Sequence, residues 1–249
     1  MTKDEKIAKL GKEITDRATV LLGKDKITPE SPEYLGINSA LKYTAYKYDQ
    51  KMADDILDIC LTMKKRVPLT IEQLAKKNPQ FDREYLEKAM QAVSESGLVE
   101  FHWENLDGKN PNHEKRWVLD MFVPGSAEIM MINPEQSDMY PETADFFERM
   151  AYLPLAGITE MVPPGGAGIG MHVIPVEKAI PAESKSLPIE HLSHWLKKYE
   201  GHIGVSVCSC RKQQRIRGEG SGDVEGEWCI GVGDFADYCR ETNHGRDIT

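Results

Sequence analysis

The sequence lacks any long run of apolar residues. Its first residues, MTKDEKIAKLGKEITDRATVLL, alternate charged and apolar positions, which is neither the pattern of a secretory signal nor that of a membrane span. We therefore expect a cytoplasmic protein that does not associate with membranes.

Basic residues are too few for a general affinity for nucleic acid. The chain has 31 Lys and Arg against 40 Asp and Glu, a net charge of -9. Binding to phosphates depends on a basic face, so we expect no nucleic-acid partner. Hydrophobic residues make up 40% and charged residues 29% of the 249 positions, which is typical of a soluble globular protein of one large or two ordinary domains.

Motifs of common catalytic sites are also missing. There is no Ser-His-Asp arrangement, no paired-carboxylate motif and no phosphate loop. The glycine-rich stretch PPGGAGIG at 163–170 runs into MHVIPV, which predicts a strand, whereas a dinucleotide fingerprint opens a helix. We therefore expect no complete catalytic site in this chain.

The first segment, residues 1–39, is predicted to be an amphipathic helix followed by a loop. A helix that ends near Gly23 is predicted from apolar residues at helical spacing: Ile7, Leu10, Ile14 and Leu21. The loop is predicted from ITPESPEYLGINS at 27–39. A second helix is predicted over 41–63. Cys60 lies beside its apolar stripe and is interpreted as a small buried hydrophobic residue.

Residues 40–125 have the order of a winged helix. Thr70 and Gln73 form a capping box for a short helix, and Asp82 caps a longer one that Gly97 ends. Strands are predicted at 98–103 and 116–123.

The third helix of this unit, DREYLEKAMQAVSES, carries four acidic residues against Arg83 and Lys88. This charge is the reverse of what a DNA-reading helix needs, so we interpret the winged-helix-like domain as a scaffold or a docking surface for a partner. Residues 126–200 are predicted to be a connecting α/β segment with helices at 143–150 and 189–199. His191 and His194 have a spacing that could bind a metal, although a solvated surface is the favoured interpretation.

The last segment, 201–249, holds four of the five cysteines: Cys208, Cys210, Cys229 and Cys239. In a reducing cytosol such a group is more often a metal or redox site than a disulfide framework. The strand HIGVSVC leads into Cys208, and residues two apart in an extended segment point to one side at roughly 6.6 Å. This separation suits an iron-sulfur cluster better than a disulfide.

Several interpretations of the cysteines stay open. Four thiols fit a [4Fe-4S] cluster or a zinc site, although the two CxxC knuckles usual for zinc are missing. Cys239 shares helical spacing with Phe235 and Ala236, so it could simply complete an apolar face. The cations that follow Cys210, Arg211 first among them, would stabilise thiolates or form a docking patch for an acidic partner.

The segment VSVCSCRKQQRIRGEGSGDVEGEWCIGVGDFADYCRETNHGRDIT resembles the N-terminal iron-sulfur segment of anaerobic iron-sulfur flavoprotein oxidoreductases, the pyridine-nucleotide-disulfide-oxidoreductase-like proteins. The shared features are CxCR, the GxG return, a later cysteine before a GD-A segment and the closing GR-IT. The resemblance extends over about the last 75 residues. It implies a unit that relays electrons to or from a flavin, with FAD and NAD(P) supplied by a partner or a missing domain.

The resemblance also sets expectations for single residues. Ser221 stands where the family usually has a cysteine, so either Cys239 takes the fourth ligand position, or the iron is ligated differently, or the site is incomplete. Arg211 would tune the charge of the cluster, and Trp228 would shield it from water. We expect the chain to be a fragment of a longer protein or a stand-alone subunit without the catalytic half.

The sequence thus predicts a mainly helical α+β fold, a winged-helix-like domain followed by a small irregular cysteine-rich domain that binds a cluster. The expected function is iron-sulfur electron transfer in anaerobic metabolism, with a flavoprotein or a ferredoxin-type protein as redox partner and a homodimer as a possible assembly. The alternatives are a winged-helix redox- or metal-sensing regulator and a zinc-stapled structural module.

Overall fold

A computed structural model of the chain describes residues 1–15, 26–104, 108–119, 125–149, 191–220 and 228–247. In these ranges helices predominate, and the strands form one two-stranded and one three-stranded sheet. This confirms the prediction of a mainly helical α+β fold. None of the helices in the described ranges is long and apolar enough to cross a membrane.

Helix α1 (Lys3–Thr15) is amphipathic as predicted. Its apolar stripe, Ile7, Leu10 and Ile14, is fully buried against the rest of the core. The predicted end of this helix near Gly23 lies outside the described residues.

Helix α2 (Pro32–Lys47) corrects the loop prediction for 27–39. Ser31 is the N-cap and Pro32 is in the first turn, where its fixed φ and missing N–H suit a helix start. A Cβ on Gly36 would lie 2.2 Å from Cγ of Phe146, so glycine is needed where α2 packs on a later helix. The Pro, Gly and Ser residues that suggested a loop therefore start the helix and allow its close packing.

Helix α3 (Gln50–Cys60) shows that the single helix predicted over 41–63 is wrong. Helix α2 ends at its C-cap residue, Tyr48. Asp49 is the N-cap of α3, and its side chain accepts a 2.7 Å hydrogen bond from the N–H of Met52. Cys60 is fully buried, as predicted, and burial raises the pKa of its thiol to about 12.

Helices α4 (Ile71–Lys77) and α5 (Arg83–Glu95) begin at the predicted caps. Both hydrogen bonds of the capping box between Thr70 and Gln73 are present. Asp82 accepts a 2.7 Å hydrogen bond from the N–H of Tyr85 at the start of α5.

Strands β1 (Val99–His102) and β2 (Arg116–Leu119) form an antiparallel pair after α5. Val99 and Phe101 are buried in the core, while Glu100 points to the other face, where it pairs with Val118. The elements thus follow the predicted order, and the winged-helix identity of this unit stays a prediction.

Within the described ranges, four short helices follow: α6 (Ala127–Ile132), α7 (Pro134–Met139), α8 (Glu142–Phe147) and α9 (Leu192–Lys198). Helix α9 lies within its predicted range of 189–199, and α8 begins one residue before its predicted range of 143–150 and ends within it. The glycine-rich stretch at 163–170 and the strand predicted after it lie outside the described residues.

The C-terminal unit is a three-stranded antiparallel sheet in the order β4-β3-β5 with two helices. Its elements are β3 (Ile203–Val207), α10 (Ser209–Ile216), β4 (Trp228–Val232), α11 (Asp234–Glu241) and β5 (Arg246–Asp247). Strand β3 has the position that the sequence predicted for HIGVSVC.

Helix α11 joins this unit to the helical part. Asp234 accepts hydrogen bonds from the N–H groups of Trp103 (2.8 Å) and Glu104 (2.6 Å), just after β1. The ring of Tyr238 meets the edge of the Phe101 ring with centroids 5.0 Å apart. The two parts therefore share one continuous hydrophobic core.

Candidate functional site

The cysteine pair at 208 and 210 lies at the start of a helix. Cys208 is the N-cap of α10, and Cys210 is in its first turn. The prediction of an extended CxC segment is therefore wrong. The following residues, RKQQRI, are good helix formers, and two residues that are two apart in a helix do not face the same way.

Pairing of β3 with β4 brings Cys229 to this helix start. Cys229 lies directly opposite Ser206 in the antiparallel ladder. Cys208 follows Ser206 by two positions, so Cys208 and Cys229 are diagonal neighbours, within reach of each other's side chains. The thiol of Cys208 is close enough to that of Cys229 to help raise its pKa.

A backbone amide adds to the site. Ser209 is the first residue of α10, and its backbone N–H partly offsets the rise in the pKa of the Cys229 thiol. The N–H groups in the first turn of a helix have no partner within the helix, and the helix dipole makes this end favourable for negative charge. The helix start would therefore stabilise a thiolate or a negatively charged cluster.

The surroundings of Cys210 and Cys229 favour the protonated thiol in the absence of a cation. Burial first, and then the neighbouring Cys208, raises the pKa of Cys229 to about 12. The same two causes raise the pKa of Cys210, whose sulfur is partly desolvated although the residue as a whole is exposed. Since a bound cation would reverse the balance, the site is suited to release protons when it binds metal.

Cys239 has a different environment. It lies on α11 with 5% of its surface exposed, in the core cluster that contains Tyr238. Burial raises the pKa of its thiol to about 12, and the carboxylate of Glu100 is the second cause. These features favour a packing role, which was one of the two interpretations of its spacing. Its role as fourth ligand stays a prediction.

The predicted supporting residues are placed only in part. Arg211 is exposed on α10. Two later cations of the same helix region form ion pairs within the chain, Lys212 with Asp138 and Arg217 with Asp145. They attach α10 to α7 and α8. Ser221 and the side chain of Trp228 lie outside the described residues.

The described side chains do not form a ready metal site. Among the residues that the structure describes, no group of three or more His, Cys, Asp or Glu side chains is positioned to hold a metal ion. Coordination by Cys208, Cys210 and Cys229 would therefore require their side chains to rotate and lose protons. His191 is the N-cap of α9 and His194 is exposed.

A cavity of about 420 Å³ adjoins the thiols, with Cys229 in its wall. Arg66, Glu100 and Glu128 also line it, and the sequence analysis did not predict them as site residues. Glu128 interacts electrostatically with Cys210 and accepts a 3.0 Å hydrogen bond from the N–H of Gly125. No local pattern signals these residues, because they come from segments far apart in the chain.

Comparison of the chain with protein-family models, with curated protein sequences and with solved structures gave no match. The resemblance of the cysteine segment to iron-sulfur flavoproteins thus stays a prediction, and a functional assignment depends on the geometry of the thiols.

Proposed function

We propose that the chain is an iron-sulfur electron-transfer module that binds its cluster through Cys208, Cys210 and Cys229. The observation that supports this proposal is the proximity of these cysteines at the N-terminus of α10, where Cys208 interacts electrostatically with both Cys210 and Cys229. Thiolates are the usual ligands of iron-sulfur clusters, and hydrogen bonds to sulfur help to set their potential.

The chain's own residues would bind and shield the cluster. Cys208 and Cys210 are supplied by the start of α10, and Cys229 by the neighbouring strand. The first-turn amide of Ser209 would compensate negative charge. When bound, the cluster would supply the gain and loss of single electrons.

The helical part, including the winged-helix-like residues 40–125, would act as a scaffold in this proposal. Asp234 and Tyr238 attach the cysteine segment to it. Electrons would pass to or from a flavoprotein or a ferredoxin-type partner, which would supply FAD and NAD(P).

Three thiols leave one iron of a [4Fe-4S] cluster without a ligand. The sequence resemblance implies Cys239, whereas the burial of Cys239 in the core favours packing. A variant at this position separates the two interpretations, as described in the Discussion.

The test of the proposal is anaerobic purification of the full chain with quantitation of iron, acid-labile sulfide and zinc, followed by EPR spectroscopy after reduction. We expect about four iron and about four sulfide per chain and a paramagnetic signal on reduction. Zinc without sulfide would instead support the structural module, and protein free of all three after reconstitution would contradict a metal role.

The regulator alternative has less support because the exposed face of α5 is acidic. Arg83, one of its few cations, pairs with Glu72 (2.7 Å) and Glu87 (2.9 Å). Its charge is therefore compensated within the chain. Tight, salt-dependent binding to duplex DNA would contradict the ranking of these two functions.

A further inference from the structure

The cavity beside the thiols lies between the outer face of the β1-β2 pair and the C-terminal unit. Glu100 on β1 and Phe235 on α11 are in its wall, together with Ser206 of β3. Its volume of about 420 Å³ is at the lower end of the range for small-molecule sites. The space therefore suits a small metabolite rather than a large cofactor.

The wall of the cavity carries charges of both signs. Arg66 supplies a guanidinium, and Glu100 and Glu128 supply two carboxylates. Glu128 is fixed by a 3.0 Å hydrogen bond from the N–H of Gly125, and burial raises its pKa. A half-buried carboxylate is stabilised by a cationic partner, so this side of the cavity suits an ammonium group.

Arg66 has an unusual backbone at the mouth of this site. Its φ of 60° is in the left-handed region, and its N–H donates a 3.0 Å hydrogen bond to the carbonyl of Leu119. Such strain in a residue other than glycine is uncommon and is concentrated at binding and catalytic sites. A guanidinium also has five N–H donors in a planar fork, so it can bind a carboxylate in addition to contacts within the protein.

The rest of the wall is largely apolar. Ile129 and Ile132 of α6 and the ring of Phe235 line the cavity, and the two isoleucines are buried in the core. They provide a surface for an aliphatic or aromatic group. Apolar lining with a few charged groups is the usual composition of a small-molecule site.

We propose that this cavity binds a free α-amino acid. Its carboxylate pairs with Arg66, its ammonium group pairs with Glu100 and Glu128, and its side chain packs against Ile129, Ile132 and Phe235. An α-amino acid carries an ammonium group and a carboxylate on the same carbon. It can therefore pair with both the guanidinium and the carboxylates of the wall, whereas a simple acid or a simple amine can pair with only one kind. This site goes beyond the proposed electron transfer and does not depend on a bound cluster.

The test is isothermal titration calorimetry of the full chain with each of the proteinogenic amino acids, performed with iron-loaded and iron-free protein. We expect at least one apolar amino acid to bind below about 1 mM. For the best ligand, the analogue without the amino group and the analogue without the carboxyl group should each bind at least about tenfold more weakly, because each loses a charge-assisted pair.

Matched variants locate the site. Arg66→Gln and Glu128→Gln should each weaken binding at least about tenfold, whereas Arg83→Gln and Glu87→Gln, which change exposed residues of α5, should leave it unchanged. Circular dichroism verifies that each variant is folded. The analogue series uses the wild-type chain, so it tests the proposal even if a variant unfolds. Absence of binding by every amino acid up to about 10 mM, or binding of both analogues as tight as that of the parent amino acid, would overturn the proposal.

Discussion

The hydroxyl of Tyr238 donates a 2.6 Å hydrogen bond to the carbonyl oxygen of Ser94. Ser94 is in the last turn of α5, and Tyr238 is on α11, so this bond joins the helical part to the cysteine segment. The Tyr238 ring is fully buried and contacts Phe101. The position of the thiols relative to the scaffold therefore depends on a buried contact between residues distant in sequence.

Replacement of Tyr238 by Phe should lower the free energy of unfolding by about 1 kcal/mol, because the buried carbonyl loses one of its donors while the ring remains. Chemical denaturation measures the change. The matched control is Tyr46→Phe, since Tyr46 is 60% exposed and the same change there should have almost no effect. Equal effects of the two substitutions would show that the interface bond is unimportant.

His244 gives the protein a pH dependence. Its ring is buried and stacked on Tyr238, and its Nδ1 lies 2.7 Å from the hydroxyl of Thr242. Burial lowers its pKa from 6.5 to about 3. The unfolded chain takes up a proton below pH 6.5 and the folded chain does not, so stability should fall between pH 6.5 and pH 3 by up to about 1.4 kcal/mol per pH unit.

The measurement is urea unfolding of the wild type and of His244→Phe between pH 7 and pH 4. In the variant, the free energy of unfolding should fall less steeply as the pH falls, because the contribution of His244 is missing. His194→Gln changes an exposed histidine and serves as the control with the wild-type slope. Identical slopes for the wild type and His244→Phe would contradict the buried neutral histidine.

Alkylation tests the thiol environments in iron-free protein. Burial raises the pKa of Cys60, Cys229 and Cys239 to about 12, and only thiolates react with iodoacetamide. At pH 8 these cysteines should react far more slowly in the folded chain than after denaturation. The rate should then rise about tenfold per pH unit toward pH 12 while the chain stays folded. Peptide mapping by mass spectrometry follows each site, and fast labelling of folded Cys239 at pH 8 would contradict its burial.

Replacement of Cys239 by Ala separates packing from ligation. From its burial we expect the variant to retain iron and sulfide and to lose roughly 1 kcal/mol of stability through the smaller side chain. Iron quantitation and chemical denaturation are measured on the same preparation. Loss of iron at nearly unchanged stability would contradict the packing role and support the ligand role that the sequence resemblance implies.

Local side-chain chemistry made part of the fold predictable. The capping box of Thr70 and Gln73 and the cap at Asp82 need only residues three positions apart, and the structure has both. The start of α2 was missed although Ser31 and Pro32 are a typical helix start. The surrounding Gly and Ser suggested a loop, and the contact of Gly36 with Phe146 has no local signal.

For the thiol site too, features that depend on contacts distant in sequence were not predicted. The cysteines were identified from their spacing, but the extended geometry predicted for Cys208 and Cys210 was wrong because α10 begins between them. The approach of Cys229 depends on its register with Ser206, which is a long-range pairing. Glu128 and Arg66 meet near these thiols only through tertiary packing, so no sequence pattern could identify them.

The most direct test of the proposed cluster is the iron and sulfide content of three single variants after anaerobic reconstitution. We predict that Cys208→Ala and Cys229→Ala lose both, since each removes one of the two interacting thiols at the start of α10. Cys60→Ala should keep the wild-type content, because Cys60 is buried within the helical core. Equal iron and sulfide in all three folded variants would contradict a cluster at these thiols.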